Sequence, residues 1–414
     1  MTSKGEFRCP GYRSSRGKII FDMDGVITGE SCYWDAAALV VWELLWAPGY
    51  MGLPLPQGVP PFTARPNPGE ISTVRQVVFQ GDEVISLFKR RALNSNWDLA
   101  FLVFSYQLVE LFRDFSRIGL APDALPQVPG EAFALDHLKE YGFLYRSLEA
   151  LHWEPRFSEI LGSWVGEARG LDLMDMLARR VPAVYAGLTA GTFQVASRLW
   201  RGIQRVFQEW YFGAQKYRSF YGEEPLHPGK EGLIHREKPV LPRDRVQDTL
   251  EQLRRQGWTL GIATGRPFHE LHGPLQEMKL WDYFDADSVV TFTDVEKAEK
   301  ELKLRGITAA GSSVSLGKPH PFTFLKAYWA GTYEKEDLVS PKFPRPPGDR
   351  CWVVGDSMAD LLAARKMDVG FIGVLTGHDG PSNQSLFQRE GARAVFPDIT
   401  HLPRFFRAAG SPEP

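Results

Sequence analysis

Cysteine is scarce. Cys9, Cys32 and Cys351 are the only three in 414 residues, and they lie far apart. That excludes a disulfide framework and any Cys-based metal or redox spacing, and predicts a reduced, intracellular chain. Long apolar runs are missing too. Ala36–Trp42 and Leu99–Phe104 are broken by charge well short of the roughly 18 residues a membrane helix needs. The opening stretch, Met1 to Lys18, is polar and mildly basic and lacks the apolar core of a signal peptide. No charge of one sign prevails: 48 Lys and Arg stand against 50 Asp and Glu, a formal net charge of −2. A global basic surface for non-specific nucleic-acid binding is therefore absent. There is no internal repeat and no low-complexity tract. Together these absences predict a cytoplasmic protein with neither nucleic acid nor membrane as partner. What is present is ordinary for a globular chain with a full core, 43% hydrophobic and 24% charged residues, and the length allows two or three domains.

The most informative stretch is Lys18-Ile19-Ile20-Phe21-Asp22-Met23-Asp24-Gly25-Val26-Ile27-Thr28. Its apolar run ends abruptly in two carboxylates two positions apart, followed by glycine. Such a run reads as a buried parallel strand, and the open ends of such strands are where α/β proteins place their chemistry. Two acids there can hold a hard cation through oxygen, or one can attack while the other moves protons. Taken alone, they fit an Asp-Gly turn capped by a carboxylate equally well.

From Ile27 to about His235 the pattern is mostly helical. Trp34–Trp46 is apolar all round and predicts a buried helix. Gln76–Phe115 predicts two helices parted at Asn94-Ser95-Asn96, with Asn96 as a cap. Phe193–Phe220 gives another long amphipathic pattern. Between them, Pro48–Pro68, Ala121–Gly130 and Tyr221–Gly232 are rich in Pro and Gly. Trp200, Phe207, Trp210, Tyr211 and Phe212 recur at helical spacing and read as core. Arg90, Arg91, Arg179, Arg180 and Arg201 read as solvated charges.

From Pro239 onward strand and helix alternate. Pro242 opens a helix that Gly257 closes. Strand Trp258–Ala263, helix Phe268–Lys279, strand Ala286–Phe292, charged helix Val295–Arg305 and a Gly/Ser loop follow. Helix Phe322–Ala330, strand Cys351–Val354, helix Asp360–Lys366 and strands Phe371–Leu375 and Ala394–Phe396 complete the series.

Four polar clusters fall at or near strand ends: Asp22-x-Asp24, Thr264-Gly265, Lys318-Pro319 and Gly355-Asp356-x-x-x-Asp360. Singly each is weak, and the last also fits a helix N-cap with one extra acid. In a doubly wound parallel sheet they share one edge, where they make a set suited to phosphoryl transfer. Asp22 is the candidate nucleophile, able to form an aspartyl-phosphate. Asp24 is the candidate general acid and base. Asp22 and Asp356 would ligate Mg²⁺, which prefers oxygen. Thr264 and the Gly265 amide would donate to phosphoryl oxygens, and Lys318 would supply a point positive charge. Asp360 would orient Lys318 or a metal-bound water. Arg266 adds a further donor within reach of an anion, or pairs with a surface acid.

These four motifs, in this order and strand context, resemble the haloacid dehalogenase-like hydrolase superfamily in its phosphatase branch, over residues 18–28 and about 236–400. The flank from Gly232 to Arg266 looks like the subgroup of phosphoglycolate phosphatases and β-phosphoglucomutases. The resemblance implies a Rossmann-like doubly wound core, here 1–28 with 236–414, and a large, mostly α-helical cap at 29–235 that selects substrate. It also implies that the Asp24 carbonyl is a metal ligand. The cap, at about 200 residues, exceeds the small bundle usual in that subgroup. A charged insertion separates Asp294-Val295 from Gly317-Lys318, and the Lys-Pro-His-Pro context favours Lys318 over Lys297 or Lys300. The expectation is a Mg²⁺-dependent phosphatase acting on a small phosphorylated metabolite. A phosphomutase is the nearest alternative and a non-catalytic scaffold the alternative from another class; Asp24 argues against a dehalogenase.

Overall fold

The apolar run before Asp22 is the central strand of a six-stranded, wholly parallel sheet. The computed structural model describes residues 16–91, 93, 95–306, 316–378 and 380–408. Cys9, Asn94 and the Gly/Ser loop at 307–315 lie outside the described residues. The chain divides into two compact units, Met1–Glu30 with Lys238–Pro414, and Ser31–Glu237.

In the first unit the strands are β1 Gly17–Phe21, β2 Trp258–Ala263, β3 Val289–Val290, β4 Cys351–Gly355, β5 Gly370–Val374 and β6 Ala394–Phe396. Their order is β3-β2-β1-β4-β5-β6, the α/β, doubly wound arrangement that the alternating pattern predicts. Successive side chains of β1 go to opposite faces. Ile19 and Phe21 join Val246, Leu250, Leu271 and Phe406 in one apolar cluster, while Ile20 joins Leu325, Val353, Leu361 and Phe387 in another. Both faces are thus covered by helices, which is why the strand is continuously apolar instead of alternating.

Most helices of this unit start where expected, but three features differ. β3 has only two residues, because Thr291 and Asp294 form a capping box that takes Phe292 into helix Phe292–Leu304. Met358–Met367 begins before Asp360, capped by Ser357. Lys335–Val339, Gly380–Arg389 and Leu402–Ala408 are further helices that the sequence reading left out.

The second unit is helical. Helix Ser31–Trp46 buries 14 of its 16 residues, all but Ser31 and Asp35, as an all-round apolar helix must. Even Glu43 is inside, with Lys230 Nζ at 2.7 Å and Trp210 Nε1 donating at 2.6 Å. The expected pair of helices in Gln76–Phe115 proves to be three: Pro68–Val78, Glu83–Arg90 and Asn96–Arg117. The extra break spans Gln80, Gly81 and Asp82, which all take positive φ, a conformation no right-handed helix continues through. Ser95, not Asn96, caps the last of them by accepting from Asp98 N at 3.2 Å. Arg198–Tyr221 is interrupted at Gly213, where φ is 78°. Of the five aromatic residues expected in the core, Phe207, Trp210, Tyr211 and Phe212 are buried, with Tyr33 stacked on Tyr211 at 4.5 Å, whereas Trp200 is half-buried. Arg180 pairs with buried Glu110 at 2.7 Å instead of standing free in solvent. Cys32 and Cys351 are buried. Among the described residues no helix is long and apolar enough to cross a membrane.

Candidate active site

The register of three strands assembles the site. Phe21 pairs with Ile262 of β2 on one side and Val354 of β4 on the other. Asp22, Thr264 and Asp356 therefore emerge just past neighbouring strand ends. The Asp22 amide still donates to Val354 O at 2.8 Å, and the Thr264 amide to Val290 O at 3.0 Å. Chain order reverses between β1 and β4, the crevice where open α/β sheets place their ligands.

Lys318, just ahead of helix Phe322–Trp329, reaches the same edge. Its Nζ stands 2.7 Å from Asp22 Oδ1 and 2.8 Å from Asp360 Oδ1, with the Phe324 ring 4.9 Å away. Asp360 is fully buried, and its other oxygen accepts from Ser357 Oγ at 2.6 Å. Both Asp360 oxygens are thus engaged, one positioning Lys318 and one completing the helix cap. Burial, and next the Asp360 charge, push the Asp22 carboxyl above the usual range against the pull of Lys318. For Lys318, burial works against the ammonium, but Asp22 and Asp360 outweigh it and raise its pKa.

Oxygens of Asp22, Asp356 and Asp360 lie within 4.8 Å of one another. With all three ionised, these carboxylates would outnumber the Lys318 ammonium by two charges. The Asp356 carboxylate packs so closely on Gly25 and Gly377 that a Cβ at either would fall on its Oδ2. Gly25 also takes a φ of 72°, which favours glycine on its own account. An all-oxygen set with this charge surplus fits a hard divalent cation. Because both oxygens of Asp360 are committed, Asp22 and Asp356 are the side chains that fit such an ion best.

Asp24 lies beside this cluster, near enough for its charge to push the Asp22 carboxyl further up. Its carboxylate is gripped by Arg266, whose Nε donates at 2.9 and 3.1 Å to the two oxygens and whose Nη2 also reaches Oδ1. Arg266 is 2% exposed, so the reading of it as a pairing partner holds, with the acid at the sheet edge and not on the open surface. Thr264 is buried at the tip of β2, where its Oγ1 accepts from Arg266 N at 3.1 Å, and Gly265 beside it is exposed. The structure therefore gathers Asp22, Lys318, Asp356 and Asp360 into one cluster, places Thr264 and Gly265 at the adjoining strand end, and turns the Asp24 side chain to Arg266. Sequence reasoning missed Thr28, Ser357 and Gly377. The pattern Ser357-x-x-Asp360 is a capping-box signal that would have found Ser357; Gly377 has no local signal, since its role is a close approach to Asp356.

Residues 178–368 match the family model for haloacid dehalogenase-like hydrolase. Over that stretch the chain is similar to haloacid dehalogenase-like hydrolases. That match takes in Thr264, Lys318, Asp356 and Asp360, and the β1 segment with Asp22 and Asp24 precedes it. An X-ray structure of a structural-genomics target is 29% identical, covers 95% of this chain and 99% of its own, and gives a TM-score of 0.75. It extends over both units, so a helical unit of this size is shared with that protein. A haloacid dehalogenase-like protein from Agrobacterium tumefaciens aligns at 18% identity over 95% of this chain and 99% of its own, with a TM-score of 0.38. A haloacid dehalogenase family hydrolase from Deinococcus radiodurans, solved with bound phosphate and sodium, aligns at 14% identity over 95% and 96%, with a TM-score of 0.34. No curated protein matches this sequence significantly.

Proposed function

We propose that this chain is a haloacid dehalogenase-like hydrolase, a Mg²⁺-dependent phosphatase that hydrolyses a small phosphorylated metabolite through an aspartyl-phosphate. The observation that carries the reading is the buried Asp22–Lys318–Asp360 array beside Asp356 at the switch point of the sheet. An Asp22 oxygen attacks phosphorus, the bond from phosphorus to the ester oxygen breaks, and the departing electron pair takes a proton from the Asp24 carboxyl. Water then gives a proton back to Asp24 and attacks phosphorus, the bond to Asp22 breaks, and inorganic phosphate and the Asp22 carboxylate are regenerated. Lys318 balances charge on Asp22 and on the phosphoryl oxygens, and Thr264 with the Gly265 amide would donate to those oxygens. Asp22, Asp356 and the Asp24 carbonyl would hold Mg²⁺. When bound, Mg²⁺ supplies positive charge that offsets repulsion between the anionic nucleophile and the anionic ester. The helical unit at 31–237 would serve as the cap that selects the organic part of the substrate.

A phosphate-release screen over phosphorylated metabolites with Mg²⁺, run beside Asp22→Asn, tests this. Release that disappears in the variant while its circular dichroism is unchanged is the expected result. Release that persists in Asp22→Asn removes the nucleophile assignment, and silence of the wild-type chain across the panel removes the reading itself.

A further inference from the structure

The guanidinium of Arg266 is buried and held on several sides by the protein. Nε and Nη2 fork onto Asp24, Nη2 also donates to buried Thr28 Oγ1 at 2.9 Å, and Nη1 to Glu270 O at 3.3 Å. The backbone of Arg266 is fixed too: its amide donates to Thr264 Oγ1 at 3.1 Å and its carbonyl accepts from Phe292 N at 2.8 Å. An arginine bound in this way is a rigid planar template, with Nε and Nη2 already engaged by protein acceptors. It is poorly placed to bind a substrate anion and well placed to fix a carboxylate rotamer.

We propose that Arg266, braced by Thr28, is the positioning residue for Asp24. It holds that carboxyl where it meets the ester oxygen and does not itself read the substrate phosphate. The inference rests on the phosphatase reading given above. Bond breaking from phosphorus to a poor leaving group needs the proton that Asp24 delivers as the electron pair departs. A good leaving group such as p-nitrophenolate departs without it. Displacing Asp24 by even about 1 Å weakens the proton transfer and leaves attack by Asp22 intact.

The test compares kcat and KM of the wild-type chain, Arg266→Lys, Arg266→Gln and Thr28→Val at saturating Mg²⁺. Substrates are p-nitrophenyl phosphate and an alkyl phosphate that the wild type hydrolyses. General acid catalysis is worth about 10²–10⁴-fold, so Arg266→Gln should lose roughly 10²-fold or more in kcat on the alkyl ester and under about tenfold on the aryl ester, with KM little changed. Lysine keeps the charge but not the fork, so Arg266→Lys should recover part of the difference. Thr28→Val should shift the same ratio by a few-fold, and it decides the matter if Arg266→Gln fails to fold. Equal losses on both esters would leave Arg266 a merely structural residue and overturn the proposal. So would a raised KM with kcat retained, which would make it a substrate ligand. A wild-type chain inactive on every ester would instead bring down the phosphatase reading first, a result seen before any Arg266 variant is assayed.

Discussion

Asp356 lies in a slot whose walls are backbone. Gly25 and Gly377 approach its carboxylate so closely that neither tolerates a Cβ without displacing Oδ2. Gly377→Ala is accordingly predicted to act on the carboxylate and not on the core. The Mg²⁺ concentration for half-maximal phosphate release should rise by about tenfold, equivalent to roughly 1.4 kcal/mol of lost metal affinity, with little change in thermal stability. A titration of activity against Mg²⁺ checks it, and an unchanged midpoint would mean that Asp356 is not a ligand or that the slot yields easily. At this scale the sequence exposes residues whose type advertises chemistry. Asp22, Lys318, Asp356 and Asp360 were legible because acids and a lysine at strand ends are conspicuous. Gly377 was not, because what matters there is the absence of an atom opposite a residue 21 positions earlier. Arg266 was legible only as an ambiguity, since its spacing from Asp24 in sequence says nothing about which anion it meets.

Elements were read best where burial on two faces imposed a long apolar signature. β1, β2, β4 and β5 are such strands. Boundaries set by side-chain caps were read less well. The Thr291–Asp294 capping box shortens β3, and Ser357 starts its helix earlier than the apolar periodicity indicates. Ser357 also joins fold to site. Its Oγ accepts from Asp360 N at 3.3 Å and donates to Asp360 Oδ2 at 2.6 Å, so the cap and the partner of Lys318 share one hydroxyl. Ser357→Ala should cost about 1 kcal/mol of stability, the usual worth of an N-cap. It should also lower turnover, because Asp360 loses the bond that holds its carboxylate against Lys318. Urea denaturation and kcat measured together separate the two effects; lost stability at full turnover would confine Ser357 to capping.

Across the whole molecule the chain builds two cores. One surrounds the sheet, and the other is made by helices Ser31–Trp46, Asn96–Arg117 and Arg198–Tyr221. Separate cores of this size are expected to give unfolding that is not two-state, and one buried acid labels the helical core. Asp98 is 7% exposed and accepts from Trp200 Nε1 at 2.6 Å. Burial raises its pKa to about 6, against the opposing pull of the Trp200 and Ser95 hydrogen bonds. Its ordinary value is 3.8, so between these two values the folded chain holds a proton that the unfolded chain releases. Stability from this group is therefore greatest below about pH 4, falls as pH rises through 6, and stays low above it. Asp98→Asn keeps an acceptor for Trp200 and removes the charge. The variant should be more stable than wild type at pH 8 by about 1–3 kcal/mol, with the difference shrinking toward zero near pH 4. Scanning calorimetry from pH 5 to 8 should show that gain in one transition, which is then the unfolding of the helical core. An equal shift in every transition would mean that the two cores unfold as one, and no shift at pH 8 would mean that Asp98 is charged at little cost in the folded chain.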